Sequence, residues 1–576
     1  MIHSVDKKGY RKIDCNILVE SVLLLMLIAA ATPLSLAEAG QEGAFSYECA
    51  RRLSTASGYP LIIRGVAVQF DPGILRRFYA KRLFEPVWMQ DGHILPRVRT
   101  LFSEIKQSVQ NGLKPEDYLQ IPPQLQYILE RDASQENVPP ADLADLDLII
   151  TGIYASFGYD LLYGRVNASH RCRTKCASDR CGKLLGKLHE LQDDAQFAAL
   201  LQGLQPKNPS YERLRVMLNH YRDIAGQGGW PIISAGHRLK AGDQGEQVIL
   251  LRRRLTLSGD IDGESIPVKE DLYDAVLASA VRRFQKRHAI TVTGVVDDKT
   301  FRLLNVPVED EIHLIELNLE RLRWIPRDVR EPYIIVNMPD FSLKVVQNDE
   351  IVMAMRTVIG KPYWHTPSFR GKITFLEINP VWKIPPSILE EEVFPGIRKN
   401  PDYVKNKGIK FFRQRGRTLV EVPLNQITWS KAYPKTFPYQ VIQSAGPSNP
   451  LGRVKFMFPN EFDVYLHDTP TKRLFKRNQR TFSHGCIRIE KPIDLAAYLM
   501  ERDSSWSREQ LMAKIENGKT QQYLLNDPVD IYIAYFTAWV DNDGILQVRP
   551  DIYGSDVILD TALRGWKDFR LTVPPE

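Results

Sequence analysis

The sequence predicts a multidomain α+β protein: a helical N-terminal scaffold, a small three-helix unit, and a mostly-β C-terminal domain interrupted by an inserted cap. Three observations predict it. The chain has 576 residues, enough for about three or four domains. Apolar residues recur every three or four positions as far as about residue 306. From residue 333 the period changes to the alternation of strands. The composition, 44% hydrophobic and 25% charged, is that of ordinary globular protein. The net charge of +7, from 76 basic and 69 acidic residues, is too mild over this length to indicate a nucleic-acid partner.

Residues 1–39 read as a signal peptide or N-terminal anchor. Lys7, Lys8, Arg11 and Lys12 precede an uninterrupted apolar core, Val22 to Ala31, that is short for a bilayer. A small-residue site follows at Ser35-Leu36-Ala37 or Ala37-Glu38-Ala39. A retained anchor would use the longer stretch from Ile17, and Glu20 inside it argues against that. Either way the rest of the chain is expected to be exported.

Residues 45–235 read as the helical scaffold. In RVRTLFSEIKQSVQNGL the spacing of Val98, Leu101, Ile105 and Val109 predicts an amphipathic helix that Asn111-Gly112 closes. LADLDLIITGIYASFGYDLLYGRV predicts a second, more apolar and buried helix. Ser103 and Lys106 form a Ser-x-x-Lys within the first helix, but no Lys-Thr-Gly or Ser-Asp-Asn accompanies it, so it carries no chemistry.

Residues 239–306 predict a separate three-helix unit. Its first helix turns Val248, Leu251 and Leu255 inward, and its second Val276, Ala280, Val281 and Phe284. Asp297 is placed to cap the third.

The β domain spans 333–555. YIIVNMP, SLKVVQ and IVMAMRTVIG are strands, the last two joined by a turn at Asn348-Asp349. KITFLEINPVW, RVKFMFP and FDVYLHDT continue the pattern. Between them residues 383–455 are rich in proline and charge and read as an inserted cap with short helices of its own, a candidate lid. Residues 556–576 read as a C-terminal tail.

The chain has six cysteines. Cys15 lies in the signal. In an oxidising compartment Cys49, Cys172, Cys176 and Cys181 suggest two disulfides, with three possible connectivities. The spacing of the last three is also near that of a zinc site. Both readings leave Cys486, in TFSHGCIRIE, as the odd thiol. A cysteine nucleophile needs a base, because the thiolate is the reactive form and a free thiol has a pKa of about 8.5. His467 ends the strand-like FDVYL, and the basic, loop-like segment after it is long enough to bring Cys486 back beside it. The imidazole would take the thiol proton and later return one to a leaving amine. Gly485 permits close backbone approach, and the N–H groups of Gly485 and Cys486 would face a developing oxyanion. A metal at His467, His484 and Cys486 lacks a fourth ligand, so no metal and no cofactor are expected.

The run from His467 to Ser483-His484-Gly485-Cys486 resembles the signature of the L,D-transpeptidases of the YkuD type. Val358-Ile359-Gly360-Lys361, Thr366-Pro367, Tyr465 to Pro470 and Ile487-Arg488 extend the likeness. FEPVWMQDG, GLKPEDY, DLLYGRV and YIAYFTAWVDNDGILQVRPDIYG are similar to the larger, YcbB-like branch. Residues 239–306 resemble a peptidoglycan-binding domain through Gly242-Asp243, Gly245, Phe284-Gln285, Gly294 and Leu304-Asn305.

The resemblance implies a periplasmic acyltransferase of peptidoglycan. Cys486 would attack the bond before the terminal D-alanine of a donor tetrapeptide stem. The diamino-acid amine of a second stem would then take the thioester, forming a 3→3 cross-link. His484 and Tyr465 are implied to orient the site or its oxyanion, and Ser483 and Arg488 to meet substrate. The third member of the triad is implied to be a backbone carbonyl. Carbapenem acylation of the cysteine and binding to cell-wall glycan are also implied. The alternatives are an L,D-carboxypeptidase, in which water takes the thioester, and a non-catalytic wall-binding protein.

Overall fold

A computed structural model describes residues 40–571, apart from 57–59, 92, 131–137, 167–177, 192, 235, 237, 262–268, 401, 428–436 and 505. The expected export signal lies outside these residues. Among the described residues no helix is long and apolar enough to cross a membrane. The chain forms two compact units. One holds the chain to Gly229, Val308–Arg327 and Val557 onward; the other holds Trp230–Pro307 and Asp328–Asp556.

The first unit is helical. Helices α1 (Gly40–Thr55), α2 (Pro72–Ala80), α3 (Pro96–Gln107), α4 (Pro140–Tyr163) and α5 (Pro209–Gly226) surround a core that includes Phe70, Trp88 and Tyr154. Helix α4 is the apolar helix expected from its composition, buried through most of its length. Helix α3 buries Val98, Leu101 and Ile105 as its spacing predicts. Val109 is instead 40% exposed, because the helix tightens into a 3₁₀ turn at Ser108–Asn111 and rotates it outward before Gly112 caps the end.

Inside this unit Asp147 of α4 accepts from the backbone N–H groups of Val87 and Trp88 and from the Tyr79 hydroxyl. Burial lifts its carboxyl to about 6 against these hydrogen bonds. Cys49 packs on α1 with no exposure and is a free thiol. Among the described residues no sulfur is paired with it, and its expected partners are not among them. Cys172, Cys176 and the Cys181 side chain lie outside the described residues.

Two helices join this unit from far along the chain. Helix α9, Val308–Leu322, lies after the three-helix unit in sequence but is tied here by Arg222–Glu316 (2.6 Å) and by Arg323 donating to Tyr211 (3.0 Å). The segment expected as a tail folds as helix α10, Ser555–Leu571.

In the second unit, α6 (Glu246–Leu257), α7 (Ala275–Arg287) and α8 (Asp298–Leu304) form the three-helix core. Asp297 caps α8 by accepting from the Thr300 N–H at 2.9 Å. Val276 is 41% exposed and not inward. Leu277 sets the buried face instead, continued by Ala280, Val281 and Phe284, one helical turn and two turns on.

The β domain carries strands β1 (Tyr333–Asn337), β2 (Ser342–Gln347), β3 (Glu350–Gly360), β4 (Phe369–Ile378), β5 (Val454–Met457), β6 (Leu466–His467), β7 (Thr481–Ser483), β8 (Ile487–Ile489) and β9 (Gln521–Ala534). The sheet order is β7-β3-β8-β6-β5-β4-β9-β1-β2, and β2 also pairs β3, so the sheet closes on itself. Asn348 and Asp349 hold the β2–β3 turn with positive φ at both positions, as a two-residue hairpin turn requires. The inserted cap has its own small sheet, with Trp382–Lys383, Ile409–Arg415, Thr418–Val422 and Gln440–Gln443, and its own apolar core around Leu389, Val393 and Phe411.

Candidate active site

The site is built by strand register. Strand β6 pairs parallel with β8, matching Leu466 to Ile487 and His467 to Arg488. Strand β5 pairs antiparallel with β6, matching Lys455 to His467, and β4 matches Glu377 to Lys455. Successive residues of a strand point to opposite faces. Leu376, Phe456, Leu466 and Ile487 are therefore one row, all with no exposure, on the core face. Glu377, Lys455, His467 and Arg488 form the neighbouring row on the opposite face. Tyr465 and Cys486, two residues back, share that second face, and the Ile487 N–H donates to the Tyr465 carbonyl at 3.0 Å. The sequence pairs His467 with Cys486 and adds Tyr465 by resemblance; the fold adds Lys455 and Glu377 along the row.

His467 is 4% exposed, and its Nδ1 lies 2.5 Å from the Asp468 carbonyl oxygen. A neutral imidazole donates Nδ1–H there and keeps its lone pair on Nε2, the form a general base needs. The Asp468 carboxylate holds the turn that presents this carbonyl. It accepts from Thr469 N–H (2.7 Å), Arg453 N–H (2.9 Å) and Lys472 Nζ (2.6 Å). Burial first, and then the nearby Arg488 charge, push the imidazole down to about 3. Burial likewise pushes the Cys486 thiol up, opposed by hydrogen bonds from the Tyr465 backbone and side chain and by the charges of Lys455 and Arg488. Both directions favour the uncharged forms, a thiol and a neutral imidazole. The half-buried thiol also makes a long contact with the Asp463 carbonyl at 3.8 Å.

The loop carrying Cys486 is shaped from within. Gly485 has φ of +113°, a conformation that residues with a Cβ rarely adopt. The Ser483 hydroxyl donates to the Cys486 carbonyl (2.5 Å) and accepts from the Gly485 N–H (3.2 Å). Ser483 is 2% exposed and braces the loop, and the Gly485 N–H is engaged by that hydroxyl. The Thr366 hydroxyl donates to the Gly485 carbonyl (2.7 Å) and accepts from the Gly360 N–H (3.0 Å). A Cβ on Gly360 would sit 1.9 Å from the Trp364 carbonyl, so only glycine lets the 360–366 segment fold back against the loop.

His484 turns away from the sulfur and toward the cap. Its Nε2 lies 3.1 Å from Glu391 and its ring 5.9 Å from that of Trp364. Glu391 belongs to a π-helical turn, Leu389–Val393, whose Leu389 and Val393 are buried in the cap core. Arg488 lies on the reactive face with its buried Nε lacking a hydrogen-bond partner among the described residues.

Residues 331–531 match the family model of the YkuD L,D-transpeptidase catalytic domain. The β domain is a YkuD-family L,D-transpeptidase catalytic domain. Residues 73–218 match the model described as "Scaffold domain", and residues 244–304 the one described as "Putative peptidoglycan binding domain". A Haemophilus influenzae protein named "Putative L,D-transpeptidase" is 31% identical over 264 residues, which are 45% of this chain and 52% of that protein. The chain therefore spans about half the length of this curated relative. Among solved structures, an L,D-transpeptidase from Xylanimonas cellulosilytica is 13% identical, covering 52% of this chain and 98% of its own, with a TM-score of 0.15. One from Stackebrandtia nassauensis is 14% identical, covering 53% and 96%, with a TM-score of 0.19. Those scores are too low to speak to the arrangement of this chain.

Within the L,D-transpeptidase domain, Tyr465, His467, Cys486 and Arg488 all come to one face of the sheet. His484 stands at its cap side, and Ser483 and Gly485 lie in the supporting loop. Lys455, Glu377 and Glu391 were not singled out by the sequence. The signal for the first lay in the alternation of RVKFMFP, which puts Lys455 and Met457 on the face opposite Val454 and Phe456.

Among the described residues no group of three or more histidines, cysteines or carboxylates is arranged to hold a metal ion.

Proposed function

We propose that the protein is a peptidoglycan L,D-transpeptidase that forms 3→3 cross-links through a thioester on Cys486 and releases D-alanine. The observation that carries this reading is the β6–β8 register, which sets His467 and Arg488 side by side, with Cys486 two residues before Arg488 and so on the same face by alternation. As Cys486 attacks the donor carbonyl, its proton passes to His467 Nε2, and the new C–S bond forms while the carbonyl electrons move to oxygen. The Asp468 carbonyl at Nδ1 steadies the imidazolium that results. Collapse of the oxyanion breaks the C–N bond, and His467 returns the proton to the departing D-alanine amine. The acceptor amine then attacks the thioester and loses its proton to the same imidazole; as the new C–N bond forms the C–S bond breaks, and His467 returns that proton to the Cys486 sulfur. With the Gly485 N–H engaged, the Cys486 N–H and the Tyr465 hydroxyl are the donors left for the oxyanion. Arg488 suits a stem carboxylate, since a guanidinium matches a carboxylate bidentately.

The three-helix unit would hold the glycan, and the substrate places the enzyme outside the cytoplasm, in the periplasm. The cap favours transfer over hydrolysis by limiting water at the thioester. The purified protein incubated with disaccharide-tetrapeptide should yield cross-linked dimer and free D-alanine by mass spectrometry. Tripeptide alone would mean that it is an L,D-carboxypeptidase, and unchanged substrate would mean a wall-binding protein without this chemistry.

A further inference from the structure

Lys455 has a charge that the fold leaves unspent. It sits on β5 between Glu377 and His467 in the cross-strand row, half-buried. A lysine serving only to tie strands together would close an ion pair with its neighbour. Among the described residues Glu377 forms no salt bridge with it. The ammonium instead lies 3.9 Å from the centroid of the Tyr465 ring. That is close contact of a cation with a π face, in a site where burial strengthens the interaction. Tyr465 is the residue whose backbone and hydroxyl favour the charged form of the Cys486 sulfur, and the Lys455 and Cys486 charges act on each other directly. Losing the thiol proton leaves a thiolate in desolvated surroundings, and a cation on β5, two strands from the β8 that Cys486 leads into, offsets that cost.

We infer that Lys455 is a positioning residue for the nucleophile: its ammonium, held over the Tyr465 ring and beside the sulfur, stabilises the Cys486 thiolate while the proton is on His467. Lys455 neither gives nor takes a proton in this step. It holds Tyr465 in place from the ring face and supplies positive potential, together with Arg488 of β8, on the other side of β6. Glu377, on the far side of the ammonium, divides that potential. The inference rests on Cys486 being the nucleophile.

The test is the pH dependence of Cys486 alkylation by iodoacetamide, followed on the full chain by mass spectrometry. Lys455→Met should move the alkylation profile to higher pH by about one unit and slow the reaction at neutral pH about tenfold. Lys455→Arg, which keeps the charge, should restore the wild-type profile. Glu377→Gln leaves the lysine intact and should move the profile to lower pH, which keeps the test open if Lys455→Met does not fold. Profiles that coincide with wild type in Lys455→Met and in Glu377→Gln would overturn the inference. So would an equal loss in Lys455→Met and Lys455→Arg, since that outcome makes the role one of packing. If the nucleophile reading itself is at fault, Cys486→Ala will keep forming cross-links whatever the alkylation profiles do, so the two failures are told apart.

Discussion

Cys486→Ala is expected to abolish cross-linking and D-alanine release together, by roughly 10⁶-fold, the scale of loss when a covalent nucleophile is removed. The thermal midpoint should change little. The side chain is half-buried, and the sulfur's hydrogen bonds are those from Tyr465 and a long contact to the Asp463 carbonyl, none of which holds the fold. The packing that holds the loop comes from other groups: the Ser483 hydroxyl, the Thr366 hydroxyl and the left-handed Gly485. The substitution therefore separates chemistry from folding, and activity and melting measured on one preparation check it. A variant that keeps turning over would place the reaction elsewhere.

His467→Gln is expected to lower kcat/KM by about 10²–10⁴-fold, the usual contribution of a general acid–base. It should also change how stability depends on pH. The folded imidazole, pressed down to about 3, lies below its unfolded value of about 6.5. Folding is therefore disfavoured by proton uptake. The stability that this group contributes is fully present above about pH 6.5 and falls away as pH drops toward 3. Denaturant midpoints of the wild type should decline over that window more steeply than those of His467→Gln, which has no such proton to take. For the same reason the rate of acylation should lack an acid limb near pH 6.5. A wild-type profile that breaks there would mean an imidazole open to solvent, contrary to its burial.

Much of the fold was legible because local pattern and global fold agree. Strand β1 alternates cleanly and β2 nearly so, and Asn348-Asp349 supplies the turn that the β2–β3 pairing demands. The three-helix unit was readable down to its Asp297 cap. Where pattern and fold part, the reason is long-range packing or a local break in the helical period, as at Val109. Val276 and Leu277 are equally apolar neighbours, and only the facing helices decide which points inward. Helix α9 completes the first unit from beyond an intervening domain, and no local signal says so. In α10, Val557 and Ile558 are exposed while Leu559 has no exposure, a pattern that blurs the apolar stripe of a helix. The cap's small sheet hides in a proline-rich stretch of short runs.

The same division holds at the site. His467 and Cys486 could be paired from sequence because the loop between them is long and polar. Their neighbours across the sheet could not, because register decides them: Lys455 reaches the row only through its pairing with both Glu377 and His467. The Gly485 N–H could not be assigned either. Whether it meets substrate or the Ser483 hydroxyl depends on how three residues turn, which spacing alone leaves open.

The most direct measurement is the intact mass of the wild-type protein trapped shortly after mixing with tetrapeptide donor, followed by mapping of the modified peptide. The account predicts a donor adduct, less D-alanine, on the peptide that contains Cys486, lost when an acceptor amine is added and absent from Cys486→Ala. Cross-linked product formed with no adduct at any time, or an adduct on another residue, would contradict it.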